Sequence, residues 1–156
     1  MTHHLTTNTP SPLEAHLGFW LRLVSNHVSL RFQQTLEERG VSVTEWVALR
    51  TLWSKEVTSH AELIGTLGMT KGATSKVVSR LQEKGLAERR LAPGRAREQC
   101  LGLSAAGKTL VPELAALADA NDAHFFGHLD VADRQALTQA MQALVHHHGL
   151  QGIPTA

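Results

Sequence analysis

Long helical stripes of apolar residues flank a central stretch with a shorter rhythm. Leu13, Leu17, Trp20, Val24, Val28, Phe32 and Leu36 recur at spacings of three and four, which predicts one long helix over 13–39. Phe19, Leu23 and Leu30 lie off that stripe. A helix apolar on more than one side is buried on more than one side, and a second subunit is the expected cover for the second face. Gly40 closes this helix. Ser42 and Glu45 form an S-x-x-E capping box that opens a short helix through Trp53, with Trp46, Val47, Leu49, Leu52 and Trp53 packing it against the downstream helices.

Between Ser59 and Gly107 the pattern tightens. Ser59 and Glu62 make another capping box, and Ala61, Leu63, Ile64 and Leu67 line one face of a helix that Gly68 ends. Thr70 caps the next helix and is expected, with that helix, at the DNA-binding surface. Ala73, Val77, Val78 and Leu81 are expected to turn inward, leaving Lys71, Thr74, Ser75, Lys76 and Arg80 on the polar side. Two helices joined by so few residues cross steeply, the helix-turn-helix arrangement. Gly85 ends the second helix. Residues 86–91 and 96–103 then read as two strands around a Pro93-Gly94 turn. Arg89, Arg90, Arg95 and Arg97 flank the turn, a density that suits a wing lying along a phosphate backbone.

Downstream, Ser104 caps a long helix running to about Phe126, with Pro112 expected to kink it. Asp130 caps a last helix whose apolar residues include Leu137, Met141, Leu144 and Val145. These wide Ala/Leu faces find no partner within a small reading domain, and pairing across a two-fold axis buries them. The expected organisation is a loosely ordered 1–12, a single unit over 13–148 and a loose tail over 149–156. Within the unit, 13–39 and 104–148 supply dimerisation helices around a winged helix-turn-helix at 42–103. The fold class is mainly α (α+β).

Charge placement says more than total charge. The 156-residue chain has a formal net charge of +1. Residues 70–97 nevertheless carry eight basic residues against Glu83 and Glu88, a local +6 that leaves −5 for the rest. A basic patch on an otherwise acidic molecule is the footprint of a polyanion reader. The single cysteine, Cys100, excludes a disulfide framework and fits a reducing compartment. No run is apolar and long enough to span a membrane, so a cytoplasmic protein is expected.

With these pieces in this order, the chain resembles the multiple antibiotic resistance regulator (MarR) family of winged-helix transcription factors over about 13–148. The strings ELIGTLGMTKGATSKVVSRLQEKGL and LGLSAAGKTLVPEL carry the resemblance. It implies a homodimer on a pseudo-palindromic operator in double-stranded DNA, repression of nearby genes, and release by a small aromatic or phenolic effector. Carried over by position, Lys71, Thr74, Ser75 and Lys76 meet the major groove and Arg80 reaches phosphate. Arg97 falls on the wing arginine that enters the minor groove. Where the family often has an Asp two residues before that arginine, this chain has Arg95, so steeper salt dependence is expected.

Other chemistry is thinner. Trp20 and His27 are seven apart on the first helix, and Trp46 and Arg50 share a face of the next. An aromatic wall with one arginine suits an aromatic carboxylate or phenolate. The commoner arrangement puts both tryptophans in a core and Arg50 in a surface ion pair. His124 and His128 are four apart, but no visible ligand set completes a metal site, and His146–His148 point around their helix. Metal, pH or redox sensing by the same fold are alternatives, as is a winged-helix protein-interaction module. No nucleophile elbow, phosphate loop, dinucleotide fingerprint or H-E-x-x-H occurs, so neither an enzyme nor a cofactor is expected.

Overall fold

The computed structural model describes residues 9–92, 94 and 98–155. A 3-10 turn (Leu13–Ala15) precedes α1 (Leu17–Glu37), which is followed by α2 (Val43–Trp53), β1 (Thr58–Ser59), α3 (His60–Leu67) and α4 (Lys71–Glu83). Next come β2 (Ala87–Arg90), β3 (Cys100–Leu103), α5 (Ala105–Phe126) and α6 (Val131–His148). The expected single helix over 13–39 therefore breaks at His16, which is extended, and restarts at Leu17.

Helix starts follow their side-chain caps. At α2 the capping box closes both ways: Ser42 Oγ accepts from Glu45 N–H, and Glu45 accepts from Ser42 N–H. Ser59, Thr70, Ser104 and Asp130 each accept a backbone N–H three residues on, opening α3, α4, α5 and α6. Gly68 takes the left-handed conformation (φ 63°), which lets α3 stop and α4 start within three residues. α5 runs on through Pro112.

The strands form one antiparallel sheet in the order β1-β3-β2. Arg89 pairs with Leu101 and Arg90 with Cys100 across the wing, while Thr58 pairs with Leu101 on the other edge. The wing strands are shorter than expected, and the two-residue β1 carries no pattern from which to predict it. Pro93, Arg95, Ala96 and Arg97 lie outside the described residues.

One core holds the reader together. Leu36, Leu49, Leu52, Leu63, Leu81, Leu101, Leu103, Val111 and Leu114 are buried in it, joining the end of α1, α2–α4, the sheet and the first half of α5. Trp53, expected to pack there, is exposed, as is Ala61. The rest of α1 is different. Leu17, Trp20, Leu21, Leu23, Val24 and Leu30 are exposed, and α6 buries no residue at all. No helix among the described residues is long and apolar enough to cross a membrane.

Candidate nucleic-acid interface

α4 lies with one face in the core and the other free. Val77, Val78 and Leu81 are buried, and Lys71, Gly72, Lys76, Ser79 and Arg80 are exposed. Lys71 occupies the first turn, where no acidic residue is present. A cation there opposes the helix dipole, which favours anions at a helix N-terminus by roughly 0.3–1 kcal/mol. An arriving phosphate relieves that conflict, so the sequence is better adapted to a polyanion than to an isolated helix.

Thr74 corrects the expected polar face. It is 0% exposed, and its Oγ1 has no hydrogen-bond partner among the described residues. Lying four residues before Val78 and seven before Leu81, it sits on the buried stripe rather than beside Lys71 and Lys76. Ser75 is half-buried. Its hydroxyl donates to the Lys71 carbonyl (2.9 Å) and lies 3.4 Å from His60 Nε2. Thr70, also expected at the interface, is exposed, and its Oγ1 caps Ala73 N–H (3.1 Å). Ser79 was missed by sequence reasoning. It stands on the free face three residues after Lys76, a position legible from the helical period once Thr74 is placed inside.

The wing arginines also divide. Arg89 is exposed near the N-terminal half of α3 and the last turn of α4, beside His60 and Gln82. Arg90, expected to face phosphate, is tied into the sheet. Its guanidinium donates to the Leu103 carbonyl (2.8 Å) and pairs with Glu88. It crosses Gly102, where a Cβ would fall 2.7 Å from Arg90 Nε and 2.8 Å from the Glu56 carbonyl. The expected roles of Arg95 and Arg97 concern residues outside those described.

Two junctions fix the direction of α4. At its C-terminal end Lys84 bridges the Glu45 carboxylate and the Gly40 carbonyl, each at 2.7 Å. Burial pushes the Glu45 carboxyl up. The hydrogen bonds from Lys84 and Ser42, with the Lys84 charge, outweigh that and leave it below the usual carboxylate range. Lys84 is thus a strut between α4 and α2 rather than a free cation. At the second junction, Ser104 donates from Oγ to the Gly85 carbonyl (2.6 Å) and from its backbone to the Leu86 carbonyl (3.1 Å). Gly107 lies so close that a Cβ would fall 2.2 Å from the Leu86 carbonyl. Any tilt of α5 is therefore felt at the end of α4.

The expected effector set does not assemble. Trp20 is exposed near the start of α1, with its indole N–H donating to the Glu14 carbonyl (2.9 Å) and its ring edge-on to Phe19. His27 is exposed on the same helix. Trp46 instead packs edge-on against Phe32 and, with Arg50, lines a cleft of about 540 Å³ on α2. Arg50 is exposed and donates to Ser54 Oγ (3.3 Å). Among the described residues no three His, Cys, Asp or Glu side chains gather in a way that holds a metal ion. Cys100 is buried in β3.

Residues 39–98 match the model of the MarR family. No curated protein matches the chain in sequence. Solved structures match over most of its length. Bordetella bronchiseptica BpsR, in a structure concerning regulation of its DNA binding by 6-hydroxynicotinic acid, is 22% identical, covering 87% of this chain and 97% of its own (TM-score 0.73). A probable transcriptional regulator from Pseudomonas aeruginosa is 25% identical, covering 85% and 99% (TM-score 0.71). A mutant of E. coli MarR complexed with operator DNA is 18% identical, covering 83% and 93% (TM-score 0.71).

Proposed function

We propose that this chain, whose residues 39–98 match the MarR family model, is a winged-helix transcriptional regulator of that family, a ligand-responsive repressor that binds a pseudo-palindromic operator as a homodimer in the cytoplasm. The observation that carries DNA reading is the free face of α4. Lys71, Lys76, Ser79 and Arg80 stand clear on a helix whose other face is locked into the core. Lys76 and Ser79 read base edges, and Lys71, Arg80 and Arg89 take phosphates, with Arg95 and Arg97 extending the contact along the wing.

Dimerisation is supported by the arms. Leu17, Trp20, Leu21, Leu23, Val24 and Leu30 of α1 and the apolar residues of α6 stay exposed within one chain, and isologous pairing buries both and sets two α4 helices about 34 Å apart for successive half-sites. Ligand response is supported by the Trp46/Arg50 cleft, whose chemistry suits an aromatic anion, the class to which the BpsR ligand belongs.

A fluorescence-anisotropy titration of promoter DNA from beside the gene, against a random duplex at two salt concentrations, tests this reading. Tight binding that survives moderate salt on the promoter alone is expected. Equal, salt-labile binding to both duplexes contradicts sequence-specific reading.

A further inference from the structure

We propose, on the basis of the DNA reading above, that His60 is a further contact to backbone phosphate, made in its protonated form, so that DNA affinity rises as pH falls through the range in which histidine titrates. His60 stands where the three DNA-reading pieces meet. It is the first residue of α3, and its backbone N–H donates to the carbonyl of Gln99, just before β3 (2.8 Å). Its Nε2 lies 3.4 Å from Ser75 Oγ on α4. With the exposed Gln82, Arg89 and Gln99 it surrounds a hollow of about 210 Å³, backed by the buried Val78 and Leu101. Small-molecule pockets usually measure about 300–1,000 Å³. This hollow is smaller and polar at its rim, which suits one group entering from outside, a phosphate spanning α4 and the wing.

The hydrogen bonds leave a place for the proton. Ser75 Oγ donates its one hydrogen to the Lys71 carbonyl (2.9 Å), so towards His60 it offers only lone pairs. Nε2 therefore carries the hydrogen of the neutral ring, and Nδ1 is the nitrogen left to take a second. Protonation keeps the Ser75 contact and adds a charge-assisted donor. The charged groups nearby are Arg89 on β2, Lys71 on α4, Glu98 beside Gln99 and, on α3 itself, Glu62, which pairs with Lys55 (3.3 Å). A phosphate drawn to Arg89 stabilises an imidazolium beside it. His60 is also the only histidine between His27 and His124, so the reader holds one group of this kind.

The test titrates a fluorescent random duplex with the full wild-type chain and with full-length His60→Gln, at pH 6 and pH 8 and one low salt concentration. A random duplex suffices because every duplex offers phosphates. Glutamine keeps an amide donor for Ser75 and carries no charge at either pH. Wild type should bind about fivefold more tightly than His60→Gln at pH 6, and within about twofold of it at pH 8. By NMR, the His60 ring signal, assigned by its absence from His60→Gln, should titrate with a midpoint about one pH unit higher once duplex is present. The same dependence of affinity on pH in both proteins overturns the proposal. A midpoint that duplex leaves unmoved overturns it too, because His60 then acts through shape and not charge. Failure of both proteins to bind any duplex removes the DNA reading and this contact together, whereas equal binding to promoter and random duplexes counts against the operator reading alone.

Discussion

The reader and the arms of this molecule solve opposite problems. From Leu36 through Leu114, large aliphatic side chains vanish into one core, and buried polar groups such as Glu45 and Ser59 are hydrogen-bonded. In α6 the corresponding residues Leu137, Met141, Leu144 and Val145 remain 42–47% exposed. Burial of a Leu or Met side chain contributes roughly 1.5–3 kcal/mol. Leaving several such residues uncovered forgoes a large share of the stability available to a small domain. The difference teaches where the folding information stops: one chain completes the reader, whereas much of the apolar surface of α1 and α6 is left exposed. An exposed apolar surface of this kind marks an interaction site.

The sharpest way to break this comparison is to place charge on each side of it. Met141→Asp with Leu144→Asp should leave helical content and the thermal transition of the reader in place while the protein sediments as a monomer. Operator affinity should then fall about 100-fold, because linkage of two half-site contacts is lost. Leu63→Asp, in the core, should abolish folding instead. If the double variant unfolds like Leu63→Asp, α6 belongs to the core of one chain and the comparison fails.

Within the reader, Lys76→Ala should reduce operator affinity about tenfold or more and affinity for random DNA much less, as for lost base readout. Equal losses on both duplexes would make Lys76 a phosphate contact. The Lys84–Glu45 strut is read by stability. Glu45→Gln keeps the shape and removes the charge, and should cost about 1–2 kcal/mol in urea unfolding, discounted because Lys84 is part-exposed. Its pH dependence has a definite sign. A carboxyl whose folded value is depressed contributes full stability above its unfolded value of about 4.3, and loses it as pH falls through the lower folded value. Wild type should therefore lose its margin over Glu45→Gln below that pH. A constant margin down to strongly acidic pH would deny the strut its charge.

Smaller effects refine the interface. Arg97→Ala should flatten the salt dependence of binding by about 0.9 in log–log slope, one phosphate's worth, and an unchanged slope removes that arginine from the contact list. Thr74→Val should leave operator affinity unaltered and stability equal or about 1 kcal/mol higher, since it replaces an unpartnered buried hydroxyl with a methyl. Weaker operator binding by this variant would return Thr74 to the interface.

Most of the reader was legible because its signals are local. Caps at Ser42, Ser59, Thr70, Ser104 and Asp130 act within three residues, and each opens a helix where the sequence says it should. Thr74 is polar by residue type but buried by helical period. Its methyl group suits a buried stripe, and its spacing to Val78 and Leu81 put it there. Arg90 looked free because its sheet partners, Glu88 and the Leu103 carbonyl, depend on strand register. Long-range placement was beyond periodicity altogether. Spacing put Trp20 and His27 on α1 and Trp46 and Arg50 on α2, but only the packing of the two helices separates the pairs.

The central claim is that exposed arms convert a self-sufficient reader into a two-site operator protein. Sedimentation velocity of the wild-type chain and the Met141→Asp/Leu144→Asp variant, each with fluorescent promoter duplex, tests it most directly. The account predicts two wild-type chains per duplex and, for the variant, a monomer that leaves the duplex free at the same concentration. A wild-type protein that sediments as one chain, alone and on DNA, would contradict it.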